Sequence, residues 1–158
     1  MVAHALESHC GVAGARSEGV SARSQLAFLI LILVQAAHSI EEYRTRLYEV
    51  FAPARFVSSL VSDDLATGFL VANAALVGFG LWCWAVPVRR RWPSARGFAW
   101  FWVCLEIGNG IGHSLLAVSR GGYFPGAFTA PFLLVVAILL ALLLVREPRR
   151  SGFRGVIA

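Results

Sequence analysis

Residues 24–42 read SQLAFLILILVQAAHSIEE, an apolar run that closes with a histidine and two glutamates. The run does not alternate strictly between apolar and polar residues, so it does not fit a strand of a membrane barrel. As a helix rising 1.5 Å per residue, it is about as long as the roughly 30 Å hydrocarbon core of a bilayer. The stretch therefore predicts a membrane-spanning helix with charged groups at one end.

Three more apolar segments of similar length follow the first one. They run from Leu65 to Val86, from about Gly97 to Val118, and from Ala127 to Val145. Because backbone N–H and C=O groups cannot stay unpaired in lipid, each segment is expected to be a helix. The predicted fold is all-α, a four-helix transmembrane bundle over residues 24–146. Residues 1–23 are predicted to form a flexible tail, and residues 147–158 a basic one.

The composition excludes the soluble classes of protein. Hydrophobic residues make up 58% of the chain and charged residues 15%, whereas soluble domains carry about 25% charged residues. The same figures exclude intrinsic disorder, and the 3 cysteines are too few for a disulfide scaffold. The net charge of +5 does not indicate nucleic-acid binding, because the basic residues flank the apolar segments instead of forming one face.

The arginines predict the orientation of the bundle. All 14 basic residues are arginines, ten of them in the two tails and the second connection and four in the first and third connections. Because basic residues concentrate on the cytoplasmic side of a membrane protein, both termini are predicted to be cytoplasmic. We therefore expect a multi-pass protein of the bacterial cytoplasmic membrane.

Ionisable side chains inside two of the segments carry the functional prediction, because each costs about 2.5 to 3.5 kcal/mol to place in a membrane. The first segment ends in H-x-x-E-E (His38, Glu41, Glu42), and the third contains E-x-x-N-x-x-x-H (Glu106, Asn109, His113). At 100° per residue, the members of each group share one helix face. The first and third helices run in the same direction, and the rise per residue puts Glu42 and His113 at about the same depth. The two polar faces are therefore expected to meet in the outer half of the bilayer.

This set of side chains predicts a metal site. Imidazole and carboxylate groups are the usual ligands of zinc and non-haem iron, and a bundle lined with carboxylates can hold two ions. The predicted ligands of one or two divalent zinc or iron ions are His38, Glu41, Glu42, Asn109 and His113. The opposing interpretation is that the two adjacent glutamates are interfacial residues that pair with Arg44 or Arg46.

Four further roles complete the predicted site. Glu106 lies about 10 Å below His113 along the helix, so it is predicted to be catalytic, as a proton carrier or as the ligand of a second ion. Glu42 is the other catalytic candidate. Asn73, in the second segment, and Tyr123 are predicted to contact the substrate or to support the ligands.

Three motifs in the chain point to a known family. H-x-x-E-E at residues 38–42, N-x-x-x-H at residues 109–113, and Tyr123-x-Pro125-Gly126 with Thr129-Ala130 occur in that order. Together they resemble the HXXEE-motif family of integral membrane proteins, over about residues 26–145. The resemblance implies a four-helix membrane fold in which these positions matter. It implies no substrate, because the family is named for its motif and not for an activity.

Three functions remain open. The first is a metal-dependent intramembrane enzyme acting on a lipid, an isoprenoid or another lipophilic substrate that enters from the surrounding membrane lipids. The second is a metal-free isomerase or cyclase that uses the buried glutamates for acid–base catalysis. The third is a protein that binds, transports or senses metal ions or protons. Because four helices are few for a transporter, this last function would require a homo-oligomer.

Overall fold

The computed structural model describes residues 20–147. The predicted tails therefore lie almost entirely outside the described residues. Within residues 20–147 the chain is helical and contains no strand, in agreement with the predicted fold class.

Four long helices form the body of the described structure. They are α1 (Ala22–Arg44), α4 (Leu65–Cys83), α5 (Ala95–Ser119) and α6 (Ala130–Arg146). A π-helical turn, Trp84–Val88, extends α4 around Pro87. Within the described part of the chain, three helices are long and apolar enough to cross a membrane, namely α1, α4 with its extension, and α5. Helix α6 is also apolar but has only 17 residues.

The connection between α1 and α4 contains two short helices that the sequence analysis did not identify. These are α2 (Leu47–Val50) and α3 (Ala52–Val61). Helix α3 packs against the start of α4, where a Cβ atom added to Gly68 would lie 2.1 Å from the carbonyl oxygen of Ser58. Only glycine permits this approach. The opposite face of α3 exposes apolar side chains, including Phe56 and Leu60.

The main hydrophobic core lies where α1, α5 and α6 meet. Phe28 of α1 and Trp102 of α5 are fully buried there, with their rings in an edge-to-face contact at 6.5 Å. Leu133 and Leu140 complete the core from α6. A smaller cluster around Phe124 packs beside the opposite end of α5. Along the chain, the polar residues 35–42 of α1 and 106–113 of α5 lie between residues of the two clusters.

The starts of α1 and α5 lie at the same end of the bundle as the end of α6. One carboxylate oxygen of Glu147 accepts hydrogen bonds from the Ser21 backbone N–H at 2.9 Å and from the Ser24 hydroxyl at 2.7 Å. The other oxygen lies 3.9 Å from the guanidinium of Arg96, near the start of α5. Helices α1 and α5 therefore run in the same direction, which is the arrangement that lets their polar faces meet at one depth.

Candidate metal centre

Three buried side chains from two helices form a compact cluster. His38 and Glu42 come from α1 and His113 from α5, and one potential ligand atom of each lies within 4.8 Å of the other two. Oε1 of Glu42 lies 3.3 Å from Nε2 of His38 and 3.1 Å from Nε2 of His113. The exposed fractions of the three residues are 0%, 6% and 5%, in chain order. Two imidazoles and a carboxylate are thus held together away from water.

Helix geometry explains why these residues converge. His38 and Glu42 are four residues apart, so they lie one above the other on the same face of α1. The parallel helix α5 supplies His113 at the level of Glu42. The two imidazole rings meet edge to face, with centroids 4.8 Å apart.

Hydrogen bonds to the Nδ1 atoms orient both imidazoles. Nδ1 of His113 lies 2.6 Å from the carbonyl oxygen of Pro125. A carbonyl only accepts, so this nitrogen carries a proton, and in the neutral ring Nε2 presents its lone pair to Glu42. Nδ1 of His38 lies 2.7 Å from the hydroxyl oxygen of Thr129. Its Nε2 is buried and makes no hydrogen bond within the described part of the chain.

The chemistry of these donor atoms fits a divalent metal ion. A neutral imidazole nitrogen and two carboxylate oxygens are acceptors, and buried acceptors that face one another require a proton or a cation between them. Two histidines and one carboxylate form the protein ligand set of zinc hydrolases and of non-haem iron enzymes. His38, Glu42 and His113 would hold such an ion.

The loop between α5 and α6 closes the cluster. Gly126 in this loop has a φ of +87°, and an added Cβ atom would lie 2.6 Å from Nδ1 of His113 and 2.7 Å from Cε1 of His38. Glycine is required here both for its backbone conformation and for the space beside the two rings.

Glu41, a predicted ligand, points to this loop and not to the cluster. Its Oε1 accepts hydrogen bonds from the Tyr123 hydroxyl at 2.6 Å and from the Phe128 backbone N–H at 3.1 Å. Its Oε2 accepts from the Thr129 hydroxyl at 2.5 Å and from the Thr129 backbone N–H at 2.9 Å. Neither glutamate of the motif contacts an arginine in these hydrogen bonds and ion pairs, and Arg46 pairs instead with Glu49 at 3.4 Å.

Residues 29–141 match the family described as "Protein of unknown function with HXXEE motif". The chain belongs to the HXXEE family. Comparison with curated proteins and with solved structures gave no match. The matched residues include α1 from its third turn, α5 and most of α6, and therefore all of the clustered side chains. In this HXXEE protein the histidine and the second glutamate of the motif lie in the cluster, and the first glutamate binds the loop.

A second polar group surrounds Glu106, which is fully buried. With its amide nitrogen turned toward this carboxylate, Gln35 donates to Oε2 at 2.8 Å, while its amide oxygen lies 3.1 Å from the Ser39 hydroxyl. Asn109, a predicted metal ligand, donates to the Glu106 carboxylate at 3.5 Å. Asn73 joins this group by accepting a hydrogen bond from Ser39 at 2.8 Å. The amides of Gln35 and Asn109 thus support the carboxylate, Asn73 is linked to this group only through Ser39, and Asn109 lies outside the three-residue cluster.

Sequence reasoning missed several residues of the HXXEE site. Gln35 stands out in retrospect as a polar side chain in the middle of the apolar stretch that opens the chain's first helix. Pro125, Gly126 and Thr129 are motif positions shared with the family, but the sequence predicts no contact between them and the histidines. Their contacts with the two histidines depend on how the loop folds back over α1, which helical periodicity does not predict.

Proposed function

We propose that this HXXEE protein is an intramembrane enzyme that uses one divalent metal ion, zinc or iron, to act on a lipophilic substrate. The observation that carries the proposal is the buried cluster of two imidazole nitrogens and one carboxylate oxygen in a bundle of apolar helices. Three protein ligands leave further coordination positions for water or substrate, as in catalytic and not in structural zinc sites. When bound, the ion would polarise a substrate oxygen or activate water or oxygen.

The proposed topology has four membrane spans with both termini in the cytoplasm. Helix α6 would be the fourth span, since its 17 residues extend for about 26 Å, close to the thickness of the hydrocarbon core. The excess of arginines in the tails and second connection supports the orientation. In this orientation the cluster lies in the outer half of the bilayer.

Each residue of the site has a separate role in this proposal. His38, Glu42 and His113 hold the ion. Glu106 is the proton carrier, because it is a buried carboxylate that lies outside the cluster and is held by the amides of Gln35 and Asn109. Glu42 is then a ligand, and the acid–base step belongs to Glu106.

The surroundings of the cluster favour a lipophilic substrate. The loop at residues 121–129 covers the histidines, with Gly126 packed against both rings. The outward faces of α5 and α6 are apolar and include Leu115 and Val135. A molecule that approaches the cluster between helices must therefore dissolve in the acyl region of the bilayer.

A metal-free acid–base enzyme is the second candidate, and one distance favours it. The 3.1 Å between Nε2 of His113 and Oε1 of Glu42 is also the length of a hydrogen bond. A proton in place of the metal ion would make the pair an imidazolium and a carboxylate. The same cluster could then transfer a proton to or from an apolar substrate.

Metal analysis of detergent-purified protein separates the two candidates. We expect about one zinc or iron ion per chain in the wild type, and none in His38→Ala or His113→Ala. Glu49→Gln is the matched control, because it removes an exposed carboxylate that pairs only with Arg46 in the described contacts. Full metal content in both histidine variants would contradict the proposed site. A wild type that is active without metal would establish the acid–base alternative.

The substrate class can be tested in the same preparation. Mass spectrometry of a lipid extract of the purified protein should detect a bound apolar molecule. We compare this extract with that of a Glu106→Gln variant, which should contain the same molecule unconverted. A bound compound recovered only in the aqueous phase of the extraction would contradict the proposed substrate class.

A further inference from the structure

The two adjacent glutamates of the motif contact different parts of the site. Glu42 faces the imidazoles, whereas Glu41 binds the loop at residues 121–129. We propose that Glu41 and Thr129 are positioning residues that hold the His38 imidazole in the tautomer that presents its Nε2 lone pair to the metal ion. The assignment of the tautomer rests on hydrogen bonds alone. The metal ion at Nε2 rests on the proposed function.

The single proton of the Thr129 hydroxyl decides the direction of the hydrogen bonds. This oxygen lies 2.5 Å from Oε2 of Glu41 and 2.7 Å from Nδ1 of His38. The ionised carboxylate only accepts, so the hydroxyl proton goes to Glu41. The hydroxyl oxygen is then an acceptor for His38, whose Nδ1 must carry the proton. In the neutral ring, Nε2 is left as a lone pair directed at Glu42.

Hydrogen bonds from the loop occupy both oxygens of the Glu41 carboxylate. Each of its oxygens accepts one hydroxyl and one backbone N–H. A glutamine would place an NH₂ group opposite the backbone N–H of either Phe128 or Thr129, and neither N–H can turn away. The loop therefore requires a carboxylate at position 41, and the cluster requires one at position 42.

The loop held by Glu41 also orients the second histidine. Pro125 accepts from Nδ1 of His113, and Gly126 packs against both rings. Both imidazoles thus have their Nδ1 atoms bound by one loop and their Nε2 atoms turned to Glu42. Hydrogen bonds of this kind to a ligating histidine typically contribute about 10- to 100-fold to metal affinity.

Nitrogen NMR of histidine-labelled, metal-free protein in detergent tests the inference at a pH where the rings are neutral. The ring signals of His38 are assigned by their loss in His38→Ala. In the wild type we expect the proton on Nδ1. Thr129→Val keeps the shape but removes the hydroxyl, so the proton should move to Nε2 and zinc affinity should fall about 10- to 100-fold. Thr129→Ser, which keeps the hydroxyl, should restore both the wild-type tautomer and the wild-type affinity.

The outcomes separate this inference from the proposed function. A wild type that carries the His38 proton on Nε2 would overturn the inference without any variant. It would also be overturned if Thr129→Val bound zinc as the wild type does and kept the same tautomer. If the wild type binds no metal but Thr129→Val still moves the proton, the positioning role holds and the proposed function fails.

Discussion

Nε2 of His113 lies 3.1 Å from Oε1 of Glu42, although the two residues belong to different helices. The contact exists because α1 and α5 run in the same direction and bring their polar faces to one level. The same carboxylate oxygen lies 3.3 Å from His38. Each of these three side chains would be costly to bury alone in an apolar interior. Because they share one site, a single cation can offset the free-energy cost of burying all three.

Replacement of Gly126 by alanine should disrupt the site. The added Cβ would lie within 3 Å of both imidazoles, so the loop or at least one ring must shift, which disturbs the orientation of the imidazoles toward Glu42. We expect metal affinity to fall at least about tenfold, as for the loss of a partner that orients a ligand. Metal titration of the purified variant measures this effect.

Gly121→Ala is the matched control for that substitution. Gly121 also has a positive φ, of +65°, but an added Cβ meets no atom of residues 20–147 within 4 Å. Both variants should lose about 1 to 2 kcal/mol of stability, because alanine is disfavoured at a positive φ. Only Gly126→Ala should lose metal affinity, and equal losses in the two variants would contradict the proposed contact with the rings.

Substitution of Glu106 should separate its chemistry from its packing. Glu106→Gln keeps the shape and can still accept a hydrogen bond from Gln35, so we expect the fold and the metal content of the wild type. Glu106→Leu leaves the amides of Gln35 and Asn109 without their acceptor and should destabilise the protein by about 1 to 3 kcal/mol. Thermal unfolding in detergent, with metal analysis, measures both effects. Loss of metal from Glu106→Gln would show that Glu106 is itself a ligand.

The proton-carrier role of Glu106 predicts a loss of activity without a loss of structure. Conversion of the apolar molecule recovered with the protein should stop in Glu106→Gln and continue in Glu49→Gln. Wild-type conversion by Glu106→Gln would remove Glu106 from the mechanism.

The hydrogen bond from Tyr123 to Glu41 should persist to alkaline pH. Loss of surrounding water and the hydrogen bond to the Glu41 carboxylate hold the pKa of the Tyr123 phenol above its usual range. The phenol donates to Glu41 while it is protonated, so its contribution is complete below the ordinary pKa of about 10 and is lost as the pH rises through the raised value. The phenolate absorbance of the wild type minus that of Tyr123→Phe measures this titration. A midpoint at or below the ordinary tyrosine value would contradict the contact.

The proposed topology predicts a cytoplasmic C-terminus. A reporter that is active only in the cytoplasm, fused after Ala158, should be active, and a reporter that requires export should not. A fusion in the connection between α3 and α4, near Asp63, serves as the opposite control. Export of the C-terminal reporter would contradict the predicted cytoplasmic position of the C-terminus.

The sequence by itself determined the four long helices and which polar residues share a helix face. A long apolar segment in lipid must be helical, because unpaired backbone groups are too costly there. The bounds of the four long helices agree with the predictions to within a few residues. Helical periodicity and rise also place Glu42 and His113 at one depth, because both quantities are regular along a helix.

Tertiary structure decided what each polar residue does. Glu41 and Glu42 are equivalent in the sequence pattern, but the loop at residues 121–129 supplies four donors to the first, and the histidines face the second. The loop has no periodicity, and its path depends on a glycine at positive φ and on hydrogen bonds to a distant helix. Helix face and depth predict Asn109 among the ligands, but its amide donates to Glu106, three residues earlier on the same helix. Periodic elements can be predicted from local sequence, but the direction of a side chain within a shared face depends on contacts between residues that are far apart in the chain.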